Sequence, residues 1–179
     1  MKFYGEYKDN EYEYSGTNHT RIVSRGFLLD EDLKIALIHI KGTDEFGERD
    51  YYETPGGGVN DNESLTDAVK REVLEETGYS SSIISEIGYV IDYYNLIKRK
   101  NITYYYLLKK EKYIKKTLED YEKDIMESVG FYTIDEAIEL YTNHMNFKVG
   151  RIVKNRELRV LLDIKNIVEE MKLNETKKI

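Results

Sequence analysis

The sequence predicts an α/β fold, a mixed β-sheet with helices packed on both faces. Three observations carry this prediction. Short β-branched and aromatic runs recur along the chain, a capped helical pattern interrupts them at residues 64–77, and a long amphipathic pattern occupies residues 157–173. A length of 179 residues suits one domain with a proper core plus extensions.

At the N-terminus, Lys2-Phe3-Tyr4-Gly5-Glu6-Tyr7 and Glu11-Tyr12-Glu13-Tyr14 flank Asp9-Asn10, which reads as a hairpin turn. Residues 21–29 and 34–40 are apolar and β-branched, and Asp30-Glu31-Asp32 separates them; they read as an antiparallel pair. In the second strand Ile35, Leu37 and His39 share one face, and Ala36, Ile38 and Ile40 the other. With both faces apolar, that strand belongs in the middle of a covered sheet. A short strand at residues 50–54 leads into Pro55-Gly56-Gly57-Gly58, where glycine permits close approach to a ligand.

Beyond the first helix, residues 83–94 read as a strand broken near Gly88, and residues 101–109 as another, joined by a basic turn at 95–100. Residues 111–127 are charged throughout and read as a loop with some helix. Residues 129–133 form a short strand. Thr133 and Glu136 have capping-box spacing and start a helix that reaches about Tyr141. The last helix carries Leu158, Leu161, Ile164, Val168 and Met171 on one stripe.

Composition narrows the function. Hydrophobic residues make up 40% and charged residues 34%, as in globular domains, and no apolar run approaches the ~18–20 residues of a membrane helix. The first residues contain no apolar signal segment, and the chain has no cysteine. A cytoplasmic protein is expected, without disulfides, thiolate metal sites or a cysteine nucleophile. A net charge of −7 argues against broad nucleic-acid binding, but it leaves room for a compact phosphorylated ligand bridged by metal.

The helix at residues 64–77 carries the chemistry. Ser64 and Asp67 have capping spacing, and Gly78 stands at the stop. On a helical wheel Leu65, Ala68, Val69 and Val73 share an arc that should face the core. Glu72 and Glu76 fall on that arc, with Glu75 at its edge. Carboxylates at such spacing repel one another, and burying them unpartnered costs several kcal/mol each. An exposed acidic face is the plain alternative, but on the wheel Lys70 and Arg71 fall away from Glu72 and Glu76. A hard divalent cation held by carboxylate oxygens resolves the conflict.

Gly57, five residues, Glu63, seven residues, then Arg71-Glu72-Val73-Leu74-Glu75-Glu76-Thr77-Gly78-Tyr79 resembles the Nudix box. Every fixed Gly, Glu and Arg of that pattern is present. Tyr79 departs from it, standing at a packing position where the family has an aliphatic residue. The resemblance extends more loosely from Arg21 to Tyr141.

It implies a Nudix-type α/β/α sandwich at residues 21–142, with an N-terminal extension or hairpin at 1–20 and a helical extension packed on the domain at 143–179. The implied activity is Mg²⁺- or Mn²⁺-dependent hydrolysis of a nucleoside diphosphate linked to another moiety. A catalytically silent nucleotide-sensing module is the alternative. The third use of such a fold, prenyl diphosphate isomerisation, calls for a cysteine this chain lacks.

The resemblance makes Gly57 (through its carbonyl), Glu72, Glu75 and Glu76 metal ligands. It gives Arg71 an orienting role in catalysis and makes Glu63 and Gly78 structural. Glu75 also stands among the catalytic candidates. A further general base is expected from Glu119, Asp120, Glu122, Asp124 or Glu127, with Glu127 and Glu122 ranked first. His39 and Tyr52 are candidate substrate contacts. The expected partner is a small nucleotide-type substrate, with no membrane and no nucleic acid; a homodimer is admitted.

Overall fold

The computed structural model describes residues 1–9, 11–118, 120–144 and 148–176. Its strands are β1 (Lys2–Lys8), β2 (His19–Leu29), β3 (Ile35–Asp44), β4 (Gly47–Glu53), β5 (Gly56–Gly58), β6 (Tyr79–Tyr94), β7 (Arg99–Tyr113) and β8 (Met126–Tyr132). Its helices are α1 (Leu65–Thr77), α2 (Asp120–Ile125), α3 (Ile134–His144) and α4 (Lys148–Thr176). The sheet runs β1-β6-β7-β2-β3-β4, with β5 paired to β2 and β8 paired to β3. Parallel and antiparallel pairs are mixed, as expected.

Two pairings differ from the sequence reading. Residues 2–7 form no hairpin with residues 11–14. Instead β1 lies parallel to β6, from Lys2↔Gly88 to Lys8↔Tyr93. Tyr4 is buried in the core and donates to Asp163 of α4 at 2.8 Å, so sheet and helix together capture the arm. Strands β2 and β3 meet only at Leu29↔Ile35. The long partner of β2 is β7, in parallel from His19↔Arg99 to Leu29↔Lys109, while β3 takes β4 and β8. Because β2 and β3 part after one residue pair, a cleft can draw its lining from both halves of the sheet.

Helix α1 begins and ends where its capping residues require. The Ser64 hydroxyl accepts from the Asp67 backbone N–H at 3.1 Å, and Gly78, at φ 83°, donates to the Leu74 carbonyl at 2.8 Å. Ser64→Ala should lower stability by about 1 kcal/mol, read as a shift in urea midpoint at unchanged slope. The buried Val69 and Val73 hold α1 against Leu28, Ala36, Tyr106 and Leu108 on one face of the sheet.

On the opposite face α3 and α4 cover a larger core that includes Phe27, Leu37, Tyr105, Val160 and Ile164. Thr133 and Glu136 cap α3 reciprocally: each backbone N–H bonds to the other's side chain, at 2.7 and 3.3 Å. Helix α4 starts at Lys148, nine residues before the expected start. Its buried stripe, which includes Ile152, Val153, Val160 and Ile164, runs through Arg156 and Glu157, so charge interrupts the apolar pattern without ending the helix. Among the described residues, no helix is long and apolar enough to cross a membrane.

Candidate active site

The glycine strand β5 pairs antiparallel with β2, Ser24 opposite Gly57 and Arg25 opposite Gly56. This lays β5 across the exposed end of the acidic face of α1. The close approach requires glycine: a Cβ on Gly57 would stand 2.6 Å from Glu72 Oε1. The Gly56 N–H donates to Glu76 Oε2 at 2.7 Å, fixing that carboxylate from the other side.

The third member of the cluster comes from far along the chain. Helix α2 carries Glu122, and single oxygens of Glu72, Glu76 and Glu122 lie within 4.8 Å of one another. All three residues are buried. Burial raises the Glu76 pKa well above the ordinary glutamate value, and it raises Glu72 as well despite the adjoining Arg71. Three buried carboxylates that bring oxygen donors to one point fit a hard divalent ion such as Mg²⁺ or Mn²⁺.

Arg71 organises the rim. Its Nε and Nη2 donate to the two Glu63 oxygens at 2.7 and 2.9 Å, a bidentate pair that lowers the Glu63 pKa. Its Nη1 donates to Glu72 at 2.8 Å and Glu75 at 3.0 Å, and Nη2 also reaches the Gly58 carbonyl at 3.0 Å. One guanidinium thus ties the glycine strand, the loop before α1 and two helix carboxylates together. Glu75 remains at the rim, outside the tight cluster of three.

A cleft of about 1000 Å³ opens from this cluster. Its lining, and the buried layer behind it, hold charges that the sequence does not single out. Arg25 Nη2 pairs with Glu53 at 2.9 Å. Arg156 of α4 reaches Asp92 and Tyr94 at 3.1 and 3.2 Å, and Glu157 accepts from the Thr54 N–H at 2.9 Å. The signal for Arg156 and Glu157 was the one used for Glu72 and Glu76, charge on the buried stripe of an amphipathic helix.

His39, Tyr52 and Glu127 do not join the cluster. Ile40, Tyr51 and Met126 line the cleft, and each is the direct neighbour of one of these three. Side chains alternate along a strand, so the neighbours face away. They meet one another there. His39 Nδ1 contacts Glu127 at 2.8 Å, its Nε2 contacts Asp50 at 2.7 Å, and its ring stacks on Tyr52 at 4.5 Å. The expected choice between Glu127 and Glu122 therefore separates: Glu122 lines the cleft and Glu127 lies across the sheet. Glu119 lies outside the described residues.

A family model described as NUDIX domain matches residues 19–150. A Bacillus subtilis (strain 168) protein named as an 8-oxo-dGTP diphosphatase is 46% identical over 37 residues, which are 21% of this chain and 25% of that protein. The aligned stretch is therefore a quarter of that relative's length. Among solved structures, a MutT protein from Methanosarcina mazei Go1 superposes with TM-score 0.58 at 18% identity, covering 86% of this chain and 99% of the other. A NUDIX hydrolase from Nitrosomonas europaea gives 0.58 at 19%, covering 70% and 80%. At these identities the structures attest the fold, while the family model spans the glycine strand, the acidic helix and Glu122. The chain belongs to the NUDIX domain family.

Proposed function

We propose that the chain, a Nudix-type pyrophosphohydrolase, cleaves the diphosphate bridge of a nucleoside diphosphate linked to another moiety: a nucleoside triphosphate, a dinucleotide or a nucleotide sugar. The observation that carries this reading is the buried Glu72, Glu76 and Glu122 cluster beside the glycine strand. Mg²⁺ or Mn²⁺ bound by these carboxylates would neutralise the diphosphate and favour deprotonation of the attacking water.

The protein's own groups do the rest. Gly56 and Arg71 fix the carboxylates in place, so little reorganisation is needed when substrate arrives. Water adds to one phosphorus, the bridging P–O bond breaks, and two phosphate-bearing products leave. Glu122 is our candidate for the group that takes the water's proton, because among the described residues it alone of the later acidic candidates joins the cluster. The working unit extends past residue 150, since Arg156 of α4 lines the cleft and the buried Glu157 holds the Thr54 N–H just before the glycine strand.

A nucleotide-sensing module without turnover is the competing reading. A sensor has no need for three buried carboxylates, which cost stability when unoccupied. The deciding experiment is turnover of a panel of nucleoside triphosphates, dinucleotides and nucleotide sugars with Mg²⁺ and with Mn²⁺. Metal-dependent release of two phosphate-bearing products is expected. Binding without product on every member of the panel would overturn the hydrolase reading.

A further inference from the structure

Two guanidinium groups in the cleft have no carboxylate partner among the described residues. Among the lining arginines, Arg25, Arg49, Arg71 and Arg156 each pair with acidic side chains. Arg21 and Arg99 also line the cleft, yet neither has an ion pair among the described residues. They project from neighbouring parallel strands. Arg21 stands opposite Asn101 and Arg99 opposite His19, so the two arginines are diagonal neighbours on one face.

The polar groups around them are engaged elsewhere. Asn101, between them in register, is buried and its amide nitrogen is committed to Asp92 at 2.8 Å. Asp92 in turn is engaged by Arg156. Arg99 lies over the Tyr94 ring at 5.1 Å, and its Nε is buried without a partner. Burial, with a smaller effect from the charge of Arg21, lowers the Arg99 pKa even though Tyr94 and Asp92 favour the cation. Two like charges adjoining in a cleft whose other arginines are paired is an arrangement suited to an anion.

The pair also stands close to the acidic cluster. A Cβ on Gly58 would lie 2.9 Å from Arg21 Nη2, while one on Gly57 would meet Glu72. Consecutive Cα atoms are about 3.8 Å apart, so only the thickness of strand β5 separates the guanidinium from the carboxylates.

We propose that Arg21 and Arg99 form a second phosphate subsite, taking a phosphate of the substrate beyond those held at the carboxylate cluster. The inference rests on the hydrolase reading for its consequence, which is substrate class. A nucleoside triphosphate has the extra phosphate to place there; a nucleotide linked to an uncharged sugar, such as UDP-glucose, offers only hydroxyls. Arginine suits the task because its fork matches phosphate oxygens and stays charged at any working pH.

The test separates this subsite from the hydrolase reading. Binding of inorganic tripolyphosphate is measured by calorimetry on the full chain in chelator at low salt, where bound metal contributes nothing. Arg21→Gln and Arg99→Gln should each weaken binding about tenfold or more, the range of a lost charge-assisted hydrogen bond. Arg21→Lys, which keeps the charge, should lose less, and Lys70→Gln on the exposed face of α1 should lose nothing.

Rising salt should weaken the wild type and level the differences. In turnover with Mg²⁺, the ratio of kcat/KM for ATP to that for UDP-glucose should fall about tenfold in each glutamine variant. Melting curves identify a variant that fails to fold, and Arg21→Lys then carries the comparison.

Equal tripolyphosphate binding by wild type and both glutamine variants would overturn the subsite. So would an unchanged selectivity ratio. If Glu76→Gln binds tripolyphosphate normally while no protein turns over any substrate, the hydrolase reading fails and the anion subsite stands.

Discussion

Glu76→Gln should fold and lose two or more orders of magnitude in kcat, a barrier increase of ~3 kcal/mol or above. The amide oxygen can still accept the Gly56 N–H, so the anchor of the glycine strand survives. What is lost is a buried carboxylate of the cluster, and with it the negative charge that would hold a cation.

The same charge shapes stability without metal. Burial raises the Glu72 and Glu76 pKa values, so at these two sites the folded chain binds more protons than the unfolded chain at the same pH. Stability then falls as pH rises, from the unfolded glutamate value up through the raised folded value. In chelator the melting temperature should decline over that window. Saturating Mg²⁺ at ~100 Kd should add about 2.7 kcal/mol, most visibly at the high-pH end, where no proton must be displaced. Glu76→Gln should flatten both responses. A variant that keeps the wild-type rate, or the wild-type pH slope in chelator, would remove Glu76 from the site.

Some of this architecture is written locally and some is not. Helix α1 is legible because its cap, its stop and its apolar arc lie within fifteen consecutive residues and agree with one another. The burial of Glu72 and Glu76 is legible for the same reason: two charges sit where the period demands apolar side chains. By contrast, residues 2–7 give no sign that their partner is β6, about eighty residues away, and a local turn signal at Asp9-Asn10 suggested a nearer one. Parallel pairing needs a long crossover, and no short window contains both strands.

Strand β2 was matched to its sequence neighbour β3 on the same grounds, although most of its length pairs with β7. The early start of α4 was hidden because Arg156 and Glu157 look like solvent-facing residues until Asp92, Tyr94 and Thr54 close around them. Arg21 and Arg99 are ordinary strand arginines in sequence. Only the tally of paired and unpaired guanidinium groups around one cleft sets them apart.

Glu122→Gln should lower kcat by ~10²–10⁴-fold, while Glu127→Gln leaves it nearly unchanged. The two residues are five apart in an acidic segment, and composition alone favours neither. Their geometry separates them. Helix α2 turns the Glu122 carboxylate into the cluster with Glu72 and Glu76. One residue after α2 ends, Met126 opens β8 facing the cleft, so alternation sends Glu127 to the far face, where it contacts His39 and Lys41. Its loss there removes half-exposed ion pairs, worth about 0–1 kcal/mol of stability.

A second measurement divides the roles open to Glu122. If it takes the proton from water, rate falls at saturating Mg²⁺ while the Mg²⁺ concentration for half-maximal stabilisation stays fixed. If it is chiefly a ligand, that concentration rises along with the loss of rate. The opposite ranking, with Glu127→Gln inactive and Glu122→Gln normal, would mean that β8 presents its other face to substrate. That would require Met126 and Ile40 to leave the cleft together, since β3 and β8 are paired there at Ile40↔Met126.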